Sequence, residues 1–255
     1  LIVHTDENSP ANEHIQSICK KLRLHCSIKT NRSNQHWYSA AVRRIFVYYI
    51  LKEMRADRTR LCYDVGGSAK RIAGILKIKQ NNKLKLHVSS PVVATDEAMR
   101  VKEEQRQQAN ISMCDKINAS FCDHILQECD CLMNRSRHDL MCIDVGYYIP
   151  YADLERYMSQ HDVGTAYFVH HLPPPEGTTH QFNQKTEENP VFEVVHTVEN
   201  GIMSTQVLNT AEYCHPAPEI GTTENYIGSN LVLHTRTLLN HENYVLLKVT
   251  STPRE

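Results

Sequence analysis

Arg60-Leu61-Cys62-Tyr63-Asp64-Val65-Gly66-Gly67-Ser68 is the stretch that decides the fold. A short apolar run ends in an acid, two glycines follow, and Ser68 can cap a helix that carries Ile72, Ile75 and Leu76. That reads as strand, tight turn, helix. Leu84 to Val88 predicts a second strand and Thr95 to about Gln108 a second helix. Asp139 to Ile149 predicts a third strand, Ala152 to Gln160 a helix, and Thr165 to His170 a fourth strand. Strands that alternate with helices predict an α/β sheet with mostly parallel strands.

Upstream, Ile15, Ile18 and Leu22 place a helix in 11–23. Val42, Ile45, Phe46, Tyr49, Ile50 and Met54 predict one long amphipathic helix from about Ser39 to Arg55. Downstream the period changes. Val191 to Val198 and Ile202 to Leu208 flank Glu199-Asn200-Gly201, and Asn-Gly is the strongest two-residue hairpin signal. Leu231 to Thr237 and Tyr244 to Thr250 predict a second hairpin around Asn240-His241. Pro173 to Pro190, polar and opening on three prolines, reads as a linker. The organisation expected is a helical extension over 1–30, a core over 31–172 with a Cys/His insertion at about 110–135, a linker over 173–190, and a β-hairpin extension over 191–255.

The composition narrows the partners. With 255 residues, 41% apolar and 22% charged, the chain is globular, and its net charge of −1 excludes a global drive towards nucleic acid or anionic lipid. Any such partner must meet a local patch. No apolar run approaches the roughly 18 residues of a membrane helix, and no signal-peptide pattern opens the chain. The start at Leu1 is what a segment of a longer protein would show. Nine cysteines, an odd number, read as cytosolic thiols or metal ligands rather than a disulfide framework.

Three features carry chemistry. Ligands of open α/β sheets bind beyond the carboxyl ends of the strands, where Asp64 can accept ribose hydroxyls and Gly66 lets a cofactor approach the backbone. The spacing is neither that of a dinucleotide fold nor that of a P-loop, which favours another nucleoside cofactor such as S-adenosylmethionine. A plain strand-to-helix turn fits the same residues. Cys122-x6-Cys129-x-Cys131, preceded by Cys114 and enclosing His124, suits a closed tetrahedral zinc site, or scattered free thiols. His36, before the long helix, can be a cap or a covalent nucleophile.

Those features in this order resemble the alphavirus-like capping domain, the methyltransferase–guanylyltransferase of positive-strand RNA virus replication polyproteins. The resemblance spans roughly His36 to Thr250. Asp64-Val65-Gly66 carries Arg71 at the family spacing, and His87 is followed by Glu97-Ala98-Met99-Arg100, with Asp96 one place earlier than the family's acid. Cys122 and Cys129 resemble the family's cysteine pair. Asp144-Val145-Gly146-Tyr147-Tyr148 and Gly164 to His170 resemble its later strands. The arginine that often follows the family histidine is displaced to Arg43 or Arg44, and the thiolate expected just after His87 is missing from Val88-Ser89-Ser90.

The resemblance implies a Rossmann-like S-adenosylmethionine methyltransferase core with helices on both faces and C-terminal antiparallel β-hairpins. It implies guanine-N7 methylation of GTP, transfer of the methylated nucleotide to His36, and passage to a diphosphate RNA end. Asp64, Gly66, Arg71, Asp96 and Glu97 would hold the methyl donor. Arg43, Arg100, Asp144, Tyr148 and Tyr213 would hold the nucleotide, with Tyr226 the rival of Tyr213. His87, Cys122, Cys129 and Cys131 would hold structural zinc, and Mg2+ would serve guanylylation. The implied partners are GTP, the viral RNA 5' end, other replication proteins, a membrane and further copies of the chain, with no role for DNA. The implied place is the host cytoplasm, at membrane-bound replication complexes. Two other readings fit the same residues: a methyltransferase without guanylyltransferase activity, and a zinc-stabilised non-enzymatic scaffold.

Overall fold

The computed structural model describes residues 2–5, 11–25, 27–30, 37–59, 61–66, 85–89, 111–113, 137–185, 190–207, 212–241 and 243–255. In chain order they carry β1 (Ile2–Thr5), α1 (Ala11–Lys21), β2 (Ser27–Thr30), α2 (Trp37–Ala56), β3 (Leu61–Val65), β4 (Lys85–Ser89), β5 (Ile111–Met113) and β6 (His138–Ile143). A 3-10 turn (Gly146–Tyr148), α3 (Tyr151–Gln160), β7 (Val163–His171), β8 (Thr179–Lys185), β9 (Pro190–Glu199) and β10 (Ile202–Val207) follow. Then come β11 (Glu212–Pro216), β12 (Asn225–Ile227), β13 (Leu231–His241) and β14 (Tyr244–Pro253). The helices expected from Ser68 onwards and from Thr95 to Gln108 lie outside the described residues.

Two compact units make up the chain. The first comprises Leu1–Leu51, Leu172–Ala217 and His241–Asn243. It contains the parallel pair β1–β2 and a four-stranded antiparallel sheet in the order β11-β10-β9-β8. Asn200 and Gly201, at φ 51° and 73°, make the two-residue turn between β9 and β10, with Glu199 opposite Ile202. Both central residues of this turn need positive φ, which Asn-Gly tolerates, so the expected hairpin forms. The stretch read as a linker contains β8, a strand of Thr-His-Gln-Phe-Asn-Gln-Lys. Its polarity hid it: β8 is an edge strand, where charged and polar side chains are tolerated.

The second unit comprises Lys52–His171, Pro218–Asn240 and Tyr244–Glu255 and is built on an eight-stranded sheet. The order is β12-β13-β14-β7-β6-β3-β4-β5, and all pairings from β7 to β5 are parallel. β14, last in the chain, lies inside the sheet and runs antiparallel to β7. Every residue of β3 and of β6 is buried. Strands covered on both faces read as continuous apolar runs, and Leu61 to Val65 does so apart from its acid. The expected Rossmann-like core with added antiparallel strands is therefore what the chain forms.

The helices obey their apolar period but not the usual stop signal. Val42, Ile45, Phe46, Ile50 and Met54 are buried, and Val47 and Leu51 widen the apolar face of α2. After α2, Arg58 takes φ 59°, and Thr59 N–H reaches back to the Met54 carbonyl at 2.8 Å. After α1, Arg23 takes φ 50°, and Leu24 N–H reaches the Cys19 carbonyl at 2.8 Å. Both are left-handed C-terminal caps made with arginine where glycine is usual. Among the described residues no helix is long and apolar enough to cross a membrane.

Candidate functional site

From β3 the chain goes to β4 on one side, and β6 pairs with the other side of β3. That reversal is a topological switch point, where the carboxyl ends of two neighbouring parallel strands leave a crevice for a ligand. Asp64 lies on its β3 side, opposite Met141 of β6 and Val88 of β4. It is fully buried, and Gly66 next to it turns the chain with φ 62°. Burial, followed by the negative charge of Asp64, pushes the thiols of Cys62 and Cys142 well above their ordinary range. Thiols held protonated are neither nucleophiles nor metal ligands, so these two serve as packing.

Asp144 lies on the β6 side. Its φ is 54°, a left-handed conformation that aspartate tolerates better than most residues, and its N–H bonds to the Val169 carbonyl at 2.7 Å. The reversal there ends β6 at Ile143, short of the strand to Ile149 that the sequence predicts, and Gly146–Tyr148 forms a 3-10 turn. Gly146 is required for space rather than for φ: a β-carbon there would come within 2.3 Å of Nδ1 of His170. The His170 ring is buried and cannot retreat, because its Nε2–H donates to the Ile220 carbonyl at 2.9 Å. Gly146→Ala is accordingly expected to cost about 2 kcal/mol of stability, the usual scale of an overpacked core. A chemical-denaturation midpoint equal to that of the wild type would refute this.

Aromatic groups line the same end of the sheet. Tyr147 accepts a hydrogen bond at its hydroxyl from the His171 backbone N–H at 3.2 Å, and its ring lies 5.8 Å from that of His170. Tyr148 is 54% exposed. Tyr244, the first residue of β14, donates its hydroxyl to Oδ1 of Asp144 at 2.9 Å and lies 4.5 Å, ring to ring, from His171. Acids at the carboxyl ends of two neighbouring parallel strands, with tyrosines at the same end of the sheet, can accept hydrogen bonds from hydroxyl and N–H donors and stack on a planar base.

The other expected residues are placed as follows. His87 is on β4, opposite Tyr63. Arg43 is half-buried on α2, and Tyr213 is 57% exposed on β11, both in the first unit. His36, Arg71, Asp96, Glu97, Arg100, Cys122, Cys129 and Cys131 lie outside the described residues. Tyr226 stacks on Tyr151 with centroids 4.9 Å apart and planes 6° apart. Among the described residues no group of three or more His, Cys, Asp or Glu side chains is placed to hold a metal ion.

The structure adds Tyr147, His170, His171 and Tyr244 to the site. Tyr147 and His170 stand in the stretches that resemble the family, but nothing in sequence links Tyr244 to Asp144, 100 residues earlier.

A cavity of about 390 Å³ opens at the opposite, amino end of the strands, lined by Arg58, Thr59, Arg137, Asp139 and Thr165 among others. Its buried acid is already engaged. Asp139 accepts the Thr59 hydroxyl at 2.5 Å and the Thr165 N–H at 2.9 Å, fastening the ends of β3, β6 and β7 together. The switch-point crevice is the better candidate because its acids stand where a doubly wound sheet binds ligands.

No curated protein matches the chain. Among solved structures, the N-terminal domain of EvdMO1 with SAH bound is similar at a TM-score of 0.45 and 10% identity. The same domain in the presence of SAH and D-fucose is similar at 0.43 and 9%. Each match covers 98% of this chain and 100% of the other, and likenesses this remote carry no argument about activity. Residues 31–219, about three quarters of the length, hold both sides of the switch point and match the family model of the Chroparavirus methyltransferase, and on that match the chain belongs to this viral methyltransferase family.

Proposed function

We propose that this chain is an S-adenosylmethionine-dependent methyltransferase that methylates a guanine nucleotide at N7, as a step of viral RNA capping. The observation that carries the proposal is the pair of acids, Asp64 and Asp144, at the carboxyl ends of the two strands that flank the switch point of a methyltransferase-family chain.

The residues fit such a cofactor: an acid withdrawn from water beside a glycine turn accepts hydroxyl or ammonium donors and leaves the backbone open to approach. When bound, S-adenosylmethionine supplies an activated methyl group. Asp64 and Gly66 hold the donor side of the crevice. Asp144 accepts the N1–H and N2 amine of guanine, which turns N7, on the opposite edge of the base, away from the carboxylate. Tyr148 offers its face to the base. The N7 lone pair is free at neutral pH, so the protein need move no proton, and catalysis rests on alignment.

A second reading adds guanylyl transfer. The family match begins at residue 31 and so includes His36, whose imidazole could take the methylated nucleotide as a phosphoramidate with loss of pyrophosphate, aided by Mg2+. His87, Cys122, Cys129 and Cys131 remain the proposed zinc ligands. GTP and the viral RNA 5' end remain the proposed substrates, at replication complexes in the host cytoplasm with other replication proteins, a membrane and further copies of the chain.

The test uses S-adenosylmethionine labelled in its methyl group, GTP labelled in its α-phosphate, and Mg2+. Labelled N7-methyl-GTP is expected from the wild type and from His36→Ala alike. A methyl-dependent covalent nucleotide adduct, lost in His36→Ala, would establish the second reading as well. No methyl transfer and no cofactor binding by folded protein would overturn the proposal in favour of a non-enzymatic scaffold.

A further inference from the structure

We infer that Tyr244 is a positioning and specificity-determining residue: its hydroxyl sets the orientation of the Asp144 carboxylate that reads the acceptor base. This rests on the reading of Asp144 given above and adds to it a residue from the last strand of the chain.

The geometry begins with the backbone. Asp144 is held at φ 54° by its N–H bond to Val169, so its side chain leaves the sheet from a fixed point at the end of β6. Strained non-glycine conformations persist only where surrounding contacts over-determine them. The carboxylate is then fixed by the Tyr244 hydroxyl at 2.9 Å on Oδ1. Tyr244 is itself held: it is 5% exposed, pairs with His171 in the β14–β7 register, and has the His171 ring 4.5 Å away at 43°. His171 in turn gives its backbone N–H to the Tyr147 hydroxyl at 3.2 Å. Asp144, Tyr244, His171 and Tyr147 thus form one connected chain across the ends of β6, β14 and β7. A carboxylate whose plane is set before the ligand arrives loses less freedom on binding and discriminates more sharply between donor patterns.

The arrangement has a specific consequence. Guanine offers a carboxylate two neighbouring donors, N1–H and the N2 amine, whereas hypoxanthine lacks the amine. An oriented Asp144 separates the two bases; one released from Tyr244 rotates and separates them less well.

The experiment measures methyl transfer to GTP and to ITP, under saturating S-adenosylmethionine, by wild type and by Tyr244→Phe, which keeps the ring and its contact with His171. Expected are a KM for GTP raised about tenfold, the scale of one hydrogen bond to a charged group, with kcat within about twofold. The preference for GTP over ITP in kcat/KM is expected to fall by about the same factor, with cofactor affinity unchanged. In Asp144→Asn the Tyr244→Phe change is expected to add little, since the two act through one contact. His171→Ala, which leaves the hydroxyl but removes the ring beside it, is expected to give a smaller shift in the same direction. Should Tyr244→Phe fold poorly, His171→Ala and the Asp144→Asn pair carry the test. Unchanged KM and unchanged preference in active variants would overturn the assignment to Tyr244 alone, as would equal losses for GTP, ITP and cofactor. A wild type that binds S-adenosylmethionine but does not methylate GTP would overturn the nucleotide reading and this inference with it.

Discussion

Asp64→Asn is expected to weaken S-adenosylmethionine binding by about 100-fold, the loss of roughly two hydrogen bonds to a charged acceptor. The substitution keeps the shape of the side chain, removes its charge and turns one of its two acceptor oxygens into a donor amide. That matters because Asp64 is fully buried on the central strand, between β4 and β6, and a smaller residue would also leave a cavity. The core should tolerate it, since a buried neutral amide costs less to hold out of water than a carboxylate of the same shape. Calorimetric titration of folded protein with the cofactor measures the effect, with thermal unfolding as the control. Wild-type affinity in the folded variant would remove Asp64 from the cofactor site.

Acidification is expected to loosen the first unit from within its antiparallel sheet. His196 on β9 is 1% exposed and is bonded through Nδ1 to the Thr205 hydroxyl at 2.9 Å. The ring of His180, its cross-strand partner on β8, is stacked 6.3 Å away at 10°. Burial above all, then the neighbouring His180 and His215, lowers the His196 pKa from 6.5 to about 4. Above pH 6.5 the ring is neutral folded or unfolded, and it contributes no pH dependence. As pH falls from 6.5 towards 4 the unfolded chain takes up the proton and the folded chain resists it, so stability is lost progressively across that window. The loss approaches about 3 kcal/mol by pH 4 and then levels off. Amide exchange in β9 and β10, corrected for the intrinsic pH dependence of exchange, reports the opening free energy, and His196→Asn should flatten its slope. The same slope in wild type and variant would assign the acid sensitivity elsewhere.

The local features of the fold were legible because their causes are local. The apolar spacing of Val42 to Met54 produces a buried face wherever that helix packs, and Asn200-Gly201 makes its turn whatever surrounds it. Leu61 to Asp64 could be read as an interior strand because so few other conformations bury four such residues in succession. Where the sequence misled, a compensating contact had removed the signal. The helix stops at Arg23 and Arg58 carry no glycine, yet their left-handed caps are closed by backbone bonds to Cys19 and Met54. β8 lacks apolar alternation because it is an edge strand. The strand expected to continue to Ile149 ends at Ile143, since Asp144 turns left-handed and the Gly146 backbone packs against His170.

The candidate site divides in the same way. Asp64 and Gly66 could be singled out as candidates because a strand, an acid and a glycine turn are adjacent in sequence. Asp144 was singled out only by its resemblance to a family strand, and its place at the end of β6 came from the structure. Tyr213 and Tyr226 could not be told apart by sequence, since aromatic residues near the end of a chain serve structure and site alike, and Tyr244 carried no signal at all. In the structure Tyr226 lies flat on Tyr151, Tyr213 is exposed on β11, and it is Tyr244 that reaches Asp144. By itself the sequence determined the order and kind of the longer elements and the acid and glycine turn at the end of β3, because periodicity and turn chemistry act over a few residues. Only the tertiary structure decided that β3 and β6 are neighbours and that β14 is threaded beside β7, and so which tyrosine meets which acid. That follows from strand order, which depends on how buried surfaces pair across the whole chain rather than on any stretch of it.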